Sequence, residues 1–576
     1  MSDLNPSMRD KCRALYGEAR GDACYTRLVA LLDAFRAQHE PPQPVDPAAR
    51  LSQRDVLLIT YGGSLNAPGE PPLQTLRRFS CEHLQGAISA VHILPFFPYS
   101  SDDGFAVIDY TAVDPALGTW DDVRRLGETF DLMFDLVINH VSSQSEWFQR
   151  FKAGDPAYED FFIRVDPATD LSAVVRPRTL PLLTPVETAR GLEHVWTTFS
   201  NDQIDLNFAN PDVLLRMVEV LLFYVRQGMT FVRLDAIAYL WKRIGTSCIH
   251  LEATHIVVRL LRDIFDAVAP QVAIITETNV PHEENISYFG DGWNEAQLVY
   301  QFPLPPLTLH AIASGDATVL SRWAAGLKCP SPATTFFNFT ASHDGIGVRP
   351  LEGILPRAEI DRLVARVQRH GGAVSYKTNR DGSQSPYELN INYFDALSDP
   401  DGGEPVERQV HRFLVSQAIL LALAGVPGIY IHSLLGSRNW HEGVRQTGRP
   451  RSINREPLAA GEVGRALADP ESLRAQVFYG YRRLIETRAA EPAFHPGGAQ
   501  QVLDLHPALF ALLRTSPDGQ ERIAALHNVS GESARASLRG LGGAGGWRDL
   551  LTGEAFGVDA AIPLAPYQVR WLKASG

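Results

Sequence analysis

The chain has 576 residues, of which 45% are hydrophobic, and its formal net charge at pH 7 is −13. This length is too great for one ordinary domain, so we expect one large domain with smaller units attached. The negative charge argues against nucleic acid or an anionic membrane as a partner.

Residues 1–50 are predicted to form an N-terminal helical extension. Apolar residues recur there at helical spacing, as at Leu28, Leu32 and Phe35, and a proline cluster at 41–44 ends the pattern. The first residues lack a signal-peptide pattern, and no window is long and apolar enough to span a membrane. The five scattered cysteines contain no C-x-x-C motif, which is typical of reduced thiols. We therefore expect a cytoplasmic protein.

Over residues 51–490, apolar runs alternate with longer amphipathic segments, which predicts a parallel sheet built from βα units. Eight runs are candidate strands, and eight such strands favour a closed (β/α)8 TIM barrel of the α/β class. A doubly wound open sheet is the alternative, but no glycine-rich phosphate loop follows the first run. The runs are Val56–Tyr61, Ala90–Pro95, Leu132–His140, Phe231–Ala236, Val272–Glu277, Leu298–Phe302, Thr335–Phe339 and Gly428–His432.

Two insertions interrupt this alternation, at about residues 143–210 and 345–401. Both are predicted to leave the carboxyl ends of strands, where barrel enzymes build their active sites. From 491 to 576, short alternating strands between turns predict a C-terminal all-β domain. The predicted catalytic barrel therefore spans 51–490, with loop domains inserted into it.

Polar side chains occur where several of the predicted barrel strands end. Each of them alone has an ordinary explanation, such as a helix cap, a turn or an ion pair at a strand end. Their recurrence at strand after strand predicts three carboxylates and two imidazoles around one pocket mouth. These residues are Asn139, His140, Arg233, Asp235, Glu277, His343 and Asp344.

Three carboxylates suit cleavage of a glycosidic bond, which needs a proton for the leaving oxygen and a nucleophile behind the anomeric carbon. Asp235 is the candidate nucleophile, because nearby Arg233 should lower its pKa. Glu277 is the candidate acid/base, which must hold a proton near neutral pH. Asp344 would stabilise positive charge on the sugar ring. A metal site is the competing interpretation, but no H-x-x-x-H or clustered ligand spacing supports it.

The chain resembles glycoside hydrolase family 13, the α-amylase family, in four segments that occur in order. These are Asp135–His140, Phe231–Asp235, Ile275–Glu277 and Ser342–Asp344. Further segments resemble the sucrose phosphorylase subfamily, from about residue 55 to about residue 456. They are Val91–Pro98, Ser101–Asp109, Arg176–Arg178, Gly245–Cys248, His343–Gly347 and Ile453–Arg455.

This resemblance implies that Asp235 is the nucleophile, Glu277 the acid/base and Asp344 the transition-state stabiliser. It also implies transfer of glucose from an α-glucoside to inorganic phosphate with retention, giving α-D-glucose 1-phosphate without a cofactor or metal. Arg178 and Arg451 are our candidates for binding the phosphate dianion. The implied glucose subsite consists of Asp102, Phe105, His140, Arg233 and His343, flanked by Phe199 and Gln203.

Where the leaving group would bind, Thr278–His282 and Gly382–Asn390 differ from sucrose-specific enzymes. They resemble glucosylglycerate phosphorylases and their glucosylglycerol and sucrose-6-phosphate relatives. The resemblance implies 2-O-α-glucosylglycerate as first-choice donor, which releases D-glycerate, with Lys377, Arg380 or Arg438 near its carboxylate. The alternatives are a sucrose phosphorylase that releases D-fructose, and a sucrose-6-phosphate or glucosylglycerol phosphorylase. An α-glucosidase or transglucosidase and a non-catalytic binding protein are more distant. The sequence leaves the oligomeric state open, a homodimer included.

Overall fold

The computed structural model describes residues 6–39, 43–177, 180–379, 383–541 and 545–575. Its centre is a closed barrel of eight parallel strands, and all eight predicted runs contribute one strand each. In chain order, β1–β8 are Leu57–Thr60, Ala90–Ile93, Asp131–Leu136, Met229–Leu234, Ala273–Thr276, Leu298–Tyr300, Thr335–Asn338 and Val426–Tyr430. Strands adjacent in sequence pair with each other, and β8 closes against β1. The predicted (β/α)8 barrel is confirmed.

The barrel strands are apolar without alternation because both of their faces are buried, as at all four positions of β1. For the same reason each of the eight predicted runs extends past the carboxyl end of its strand, by one to four residues. β3 stops at Leu136, and His140 begins a separate short strand, His140–Ser142, which pairs with Gln203–Asp205. β8 stops at Tyr430, and the apolar run continues into a helix. Apolar composition marks burial rather than the point where a strand ends.

Helices surround the barrel. None of the described helices is both long and apolar enough to cross a lipid bilayer. The α-helices span Pro6–Tyr16, Glu18–Arg36, Pro72–His83, Trp120–Gly127, Glu146–Lys152, Pro211–Arg226, Glu252–Val268, His282–Ile286, Leu304–Ser314, Thr318–Ala325, Arg357–Arg369, Tyr393–Leu397, Val406–Ala422, Ile431–Leu434, His441–Thr447, Ala460–Ala468 and Leu473–Ala490.

The N-terminal helices Pro6–Tyr16 and Glu18–Arg36 form a hairpin that packs on the barrel helices. Lys11 Nζ lies 2.6 Å from Asp263 Oδ2, and the Tyr16 hydroxyl donates to the Phe208 carbonyl. The predicted helical pattern is therefore present, but as two helices.

The remaining strands lie outside the barrel. In the second insertion, Ile346–Gly347, Gln384–Asn390 and Ala373–Thr378 form an antiparallel sheet in that order, and in the first, Leu183–Thr188 pairs with Gly191–Trp196. Leu65–Asn66 pairs with Leu458–Ala459. The C-terminal region is all-β, as predicted. Its six-stranded sheet has the order Ala499–Val502, Leu509–Thr515, Arg522–Asn528, Val569–Ala574, Trp547–Asp549 and Ala555–Phe556, beside the pair Ala534–Ser537 and Ala561–Leu564.

Arg488, in the last helix, joins the barrel to the C-terminal region. Its side chain is 0% exposed and donates to the carbonyls of Gln53, Leu421 and Gly425, the last two at 3.0 Å. These carbonyls precede β1 and β8, so one guanidinium satisfies backbone acceptors that the strands leave unpaired. Burial lowers its pKa to about 10, so it stays charged at neutral pH.

We predict that Arg488→Leu destabilises the protein by at least about 3 kcal/mol, because it leaves several buried carbonyls without a donor. Equilibrium unfolding in urea measures this cost. In the control, Arg482→Ala removes only a surface pair with Glu486 on the same helix and should cost no more than about 0.5 kcal/mol. Equal stability losses in the two variants would contradict the role given to Arg488.

Candidate active site

One pocket opens at the carboxyl ends of the barrel strands, and most of the predicted site residues line it. Arg233 and Asn139 are the exceptions among the described residues predicted at the strand ends: Arg233 is 2% exposed and lies beneath the pocket floor, and Asn139 is fully buried. Arg178 lies outside the described residues, so its predicted role stays a prediction. The predicted residues that line the pocket are Asp102, Phe105, His140, Phe199, Gln203, Asp235, Glu277, His343, Asp344 and Arg451.

Arg233 connects the carboxylates at the ends of neighbouring strands. Its Nη1 donates to Asp235 Oδ1 at 2.8 Å and also to Asp135, at the end of β3, while Nη2 lies 3.9 Å from Glu277 Oε2. Ala236 has a left-handed φ of 50°, and its amide donates to Glu277 Oε2 at 3.1 Å. Both carboxyl groups therefore lie near the same guanidinium, and Glu277 also accepts from the backbone where the chain turns after Asp235. These contacts hold the two side chains in the same cavity.

Burial has the largest effect on the pKa of Asp235 and on that of Glu277. It raises the pKa of Asp235 well above its usual range; Arg233 opposes this, and neighbouring Glu277 raises the pKa further. Burial also raises the pKa of Glu277, which Arg233 lowers and Asp344 raises. The expectation that Arg233 sets a low pKa for Asp235 is thus wrong in its net direction, because desolvation outweighs the ion pair. The raised pKa expected for Glu277 is confirmed.

Asp344 is held from the side opposite β4 and β5. Arg451 Nη1 lies 2.6 Å from Asp344 Oδ1, and the same guanidinium donates to Glu388 from Nε at 2.9 Å and from Nη2 at 2.7 Å. Glu388 also accepts the Gly345 amide at 2.7 Å. The sequence identified Arg451 and Asp344 but not Glu388, because a carboxylate in the middle of an insertion strand carries no local signal.

Aromatic and imidazole rings form another wall of the pocket. Phe105 and His343 stack with centroids 4.9 Å apart, and His140 Nε2 lies 2.9 Å from the Phe105 carbonyl. Gln203 Nε2 donates to Asp102 Oδ2 at 3.2 Å. Burial lowers the pKa of both His140 and His343, so both imidazoles are neutral near pH 7. This wall therefore offers polar groups and one acidic side chain beside stacked rings.

A buried lysine, which the sequence did not identify as a site residue, contacts the residues that lie behind this wall. Lys242 Nζ lies 2.5 Å from Asp205 Oδ2 and 2.6 Å from Asn139 Oδ1, and Asn139 Nδ2 donates to the same carboxylate. Asn139 Nδ2 also lies 3.2 Å from His140 Nδ1. This network fixes the loop after β3 and leaves Nε2 of His140 on the pocket side.

Lys377 and Arg438, the two described cations that we expected near the leaving group, do not line the pocket. Lys377 donates to Glu352 at 2.9 Å, and Arg438 donates to Asp395 at 2.7 Å. Arg380 and Gly382 lie outside the described residues. Among the residues that the structure describes, no group of three or more His, Cys, Asp or Glu side chains is arranged to hold a metal ion.

Comparisons with known proteins place the chain among carbohydrate-active enzymes. Residues 84–328 match the family model described as alpha amylase, catalytic domain. The glucosylglycerate phosphorylase of Spirochaeta thermophila is 54% identical over 91% of this chain and 89% of that protein. The glucosylglycerate phosphorylase of Allomeiothermus silvanus is 49% identical over 99% of this chain and all of that protein. The sucrose 6F-phosphate phosphorylase structure from Thermoanaerobacter thermosaccharolyticum superposes with a TM-score of 0.72, at 27% identity over 83% of this chain and 94% of that one.

Lys242→Met should destabilise the protein by about 3–5 kcal/mol, because it leaves Asp205 buried without its cation. Denaturant unfolding measures the loss. In the double variant with Asp205→Asn, the loss should be smaller than the sum of the two single losses, since both charges are then absent. Strictly additive losses would contradict a coupled network.

Proposed function

Because the chain belongs to the α-amylase family, glycoside hydrolase family 13, we propose that its pocket is the active site of a retaining α-glucoside phosphorylase. The donor is 2-O-α-glucosylglycerate, and the products are α-D-glucose 1-phosphate and D-glycerate. One observation carries this assignment: the 54% and 49% identity to glucosylglycerate phosphorylases extends over nearly the whole chain. The carboxylates gathered at Arg233 supply the chemistry that such a reaction needs.

Two displacements at the anomeric carbon account for retention. In the first, an Asp235 oxygen bonds to that carbon while its bond to the glycerate oxygen breaks, and the departing oxygen takes a proton from Glu277. In the second, a phosphate oxygen attacks the same carbon, the bond to Asp235 breaks, and the proton of phosphate passes to Glu277. The enzyme ends in its starting protonation state, with Asp235 ionised and Glu277 protonated.

The hydrogen bond from Arg233 decides which carboxylate holds the proton. Arg233 donates to Asp235 at 2.8 Å, which stabilises the ionised form of that carboxylate. Glu277 lies 3.9 Å from the same guanidinium and receives one backbone amide. Burial raises the pKa of both carboxyl groups, and their mutual repulsion keeps them from ionising together, so the pair holds one proton. We assign that proton to Glu277, because its contact with Arg233 is the weaker of the two.

The other pocket groups take roles in binding. We propose that Asp344, beside Arg451, stabilises positive charge on the ring carbon, and that Arg451 and Arg178 attract the phosphate dianion. The glucose ring would lie along the wall of Phe105 and His343, where stacked rings and neutral imidazoles meet sugar faces and hydroxyls. Arg233 supports this subsite from beneath, through Asp235.

We also propose a division of the chain at about residues 50 and 490 and a cytoplasmic site of action. The N-terminal hairpin and the all-β C-terminal region flank the barrel on either side in sequence. All five cysteines carry free thiols, in keeping with a reducing compartment. Sucrose phosphorylase remains the second candidate donor assignment because the α-glucosyl half of the substrate would be the same.

A panel of donors tests this function: glucosylglycerate, sucrose, sucrose 6-phosphate and glucosylglycerol, each with and without phosphate. We predict phosphate-dependent release of glucose 1-phosphate from glucosylglycerate with the highest kcat/KM. In Asp235→Asn this rate should fall by at least about 10³-fold, because the nucleophile is lost. Turnover of sucrose alone would contradict glucosylglycerate as the donor. Equal turnover with and without phosphate would indicate a hydrolase.

The charge of Arg451 should contribute to the position of the alkaline limb in the pH profile of kcat/KM for the donor. Arg451 lowers the pKa of Glu277. Its removal in Arg451→Gln therefore raises that pKa, so the acid keeps its proton to higher pH and the limb moves to higher pH. Arg451→Lys keeps the charge and should leave the limb near its wild-type position. A limb that moves to lower pH in Arg451→Gln would contradict Glu277 as the acid.

A further inference from the structure

Arg349 is a partly buried guanidinium close to the pocket, and no carboxylate of the described residues lies within hydrogen-bond distance of it. It begins the short turn Arg349–Leu351, two residues after Gly347, which lines the pocket. Its side chain is 13% exposed, and Nη2 lies 3.8 Å from Glu284, beyond hydrogen-bond distance. Its Nε is buried and has no hydrogen-bond partner among the described residues. A buried N–H of this kind is costly unless a ligand satisfies it.

The other cations around the pocket are already neutralised by carboxylates. Arg451 contacts Asp344 and Glu388 at 2.6 to 2.9 Å, and Arg233 contacts Asp235 at 2.8 Å. Arg455 donates to the His343 carbonyl and pairs with Asp103. Among the described guanidinium groups discussed for this site, Arg349 therefore has the most capacity left for an added anion.

Arg349 lies on the side of the pocket where the leaving group must depart. Tyr239 lines the pocket; burial raises the pKa of its hydroxyl, nearby Glu277 raises it further, and a hydrogen bond with Arg349 opposes the rise. The Tyr239 hydroxyl is thus near both the proposed acid and Arg349. Arg349 therefore lies on the Glu277 side of the pocket.

An amide acceptor accompanies this guanidinium. Asn279, two residues after Glu277, lines the pocket, and its Oδ1 is buried with no hydrogen-bond partner among the described residues. It packs against Gly347, where a Cβ atom would lie 2.8 Å from Asn279 Oδ1. A donor-rich guanidinium and an unpaired acceptor on one side of the pocket match a small molecule that carries both a carboxylate and hydroxyl groups.

We propose that Arg349 binds the carboxylate of the glycerate leaving group and that Asn279 Oδ1 accepts a hydrogen bond from one of its hydroxyls. Arg349 is then the residue that selects an acidic acceptor, because two N–H groups of its guanidinium can bind both carboxylate oxygens. The inference rests on the proposed function, because it requires a glycerate subsite beside Glu277. It also explains why Lys377 and Arg438, which are paired elsewhere, are not needed for that subsite.

Two donors that differ in one group test the proposal: glucosylglycerate, with a carboxylate, and glucosylglycerol, with a hydroxymethyl in its place. In Arg349→Gln, we expect kcat/KM for glucosylglycerate to fall about 10- to 100-fold, the range for a lost charged hydrogen bond. The value for glucosylglycerol should change by less than about threefold, since that donor offers no anion. In the synthetic direction, KM for D-glycerate should rise by the same 10- to 100-fold.

Arg349→Lys keeps the positive charge but cannot bind both carboxylate oxygens in the bidentate geometry of a guanidinium. Its kcat/KM for glucosylglycerate should lie between the values of the wild type and Arg349→Gln. The control is Arg357→Gln, a surface residue that pairs with Asp361, and both donors should react as in the wild type. Equal losses for both donors in Arg349→Gln, or no loss for either, would overturn the inference. If the wild type itself does not use glucosylglycerate, the proposed function fails instead, so the two failures are distinguishable.

Discussion

The site depends on one buried guanidinium that serves three carboxylates. Arg233 is enclosed beneath the pocket and contacts Asp135 and Asp235 directly, with Glu277 at 3.9 Å. Removing ionised groups from water is costly, and the attraction between the guanidinium and the carboxylates offsets that cost only when they are close together. The barrel supplies this geometry, because β3, β4 and β5 are adjacent, and each strand ends within one residue of one of these carboxylates. The position of the reacting groups is therefore a consequence of how the barrel closes.

A second charge cluster ties the inserted segments to this core. Arg451 bridges Asp344, after β7, to Glu388, in the second insertion, and Arg455 reaches Asp103 and Asp344. The neutral imidazoles of His140 and His343 add hydrogen-bonding groups without further charge. The pocket therefore has an acidic centre balanced by arginines at its edges, which suits a reaction in which a phosphate dianion must replace a leaving group beside carboxylates.

The sequence predicted those parts of the structure that follow from the local order of apolar and charged residues. Continuous apolar runs identified all eight barrel strands, because each strand is buried on both faces, and the charged residues that follow them identified the three central carboxylates. The sequence did not identify Glu388, Lys242 and Arg349, because their roles depend on contacts with residues that are distant in the chain. The pKa of Asp235 was expected in the wrong direction, because the ion pair with Arg233 is visible in the sequence whereas the depth of burial is not.

In the mechanism that we propose, Asp235 forms the covalent bond to glucose and Glu277 transfers the proton. Trapping the intermediate tests these two roles: Glu277→Gln is incubated with α-glucosyl fluoride, a donor whose leaving group needs little protonation, and peptide mass spectrometry locates the label. We expect one glucosyl group on the peptide that carries Asp235, and release of that label as glucose 1-phosphate when phosphate is added. A glucosyl group on any other side chain, or turnover to β-glucose 1-phosphate without a covalent intermediate, would contradict these two roles.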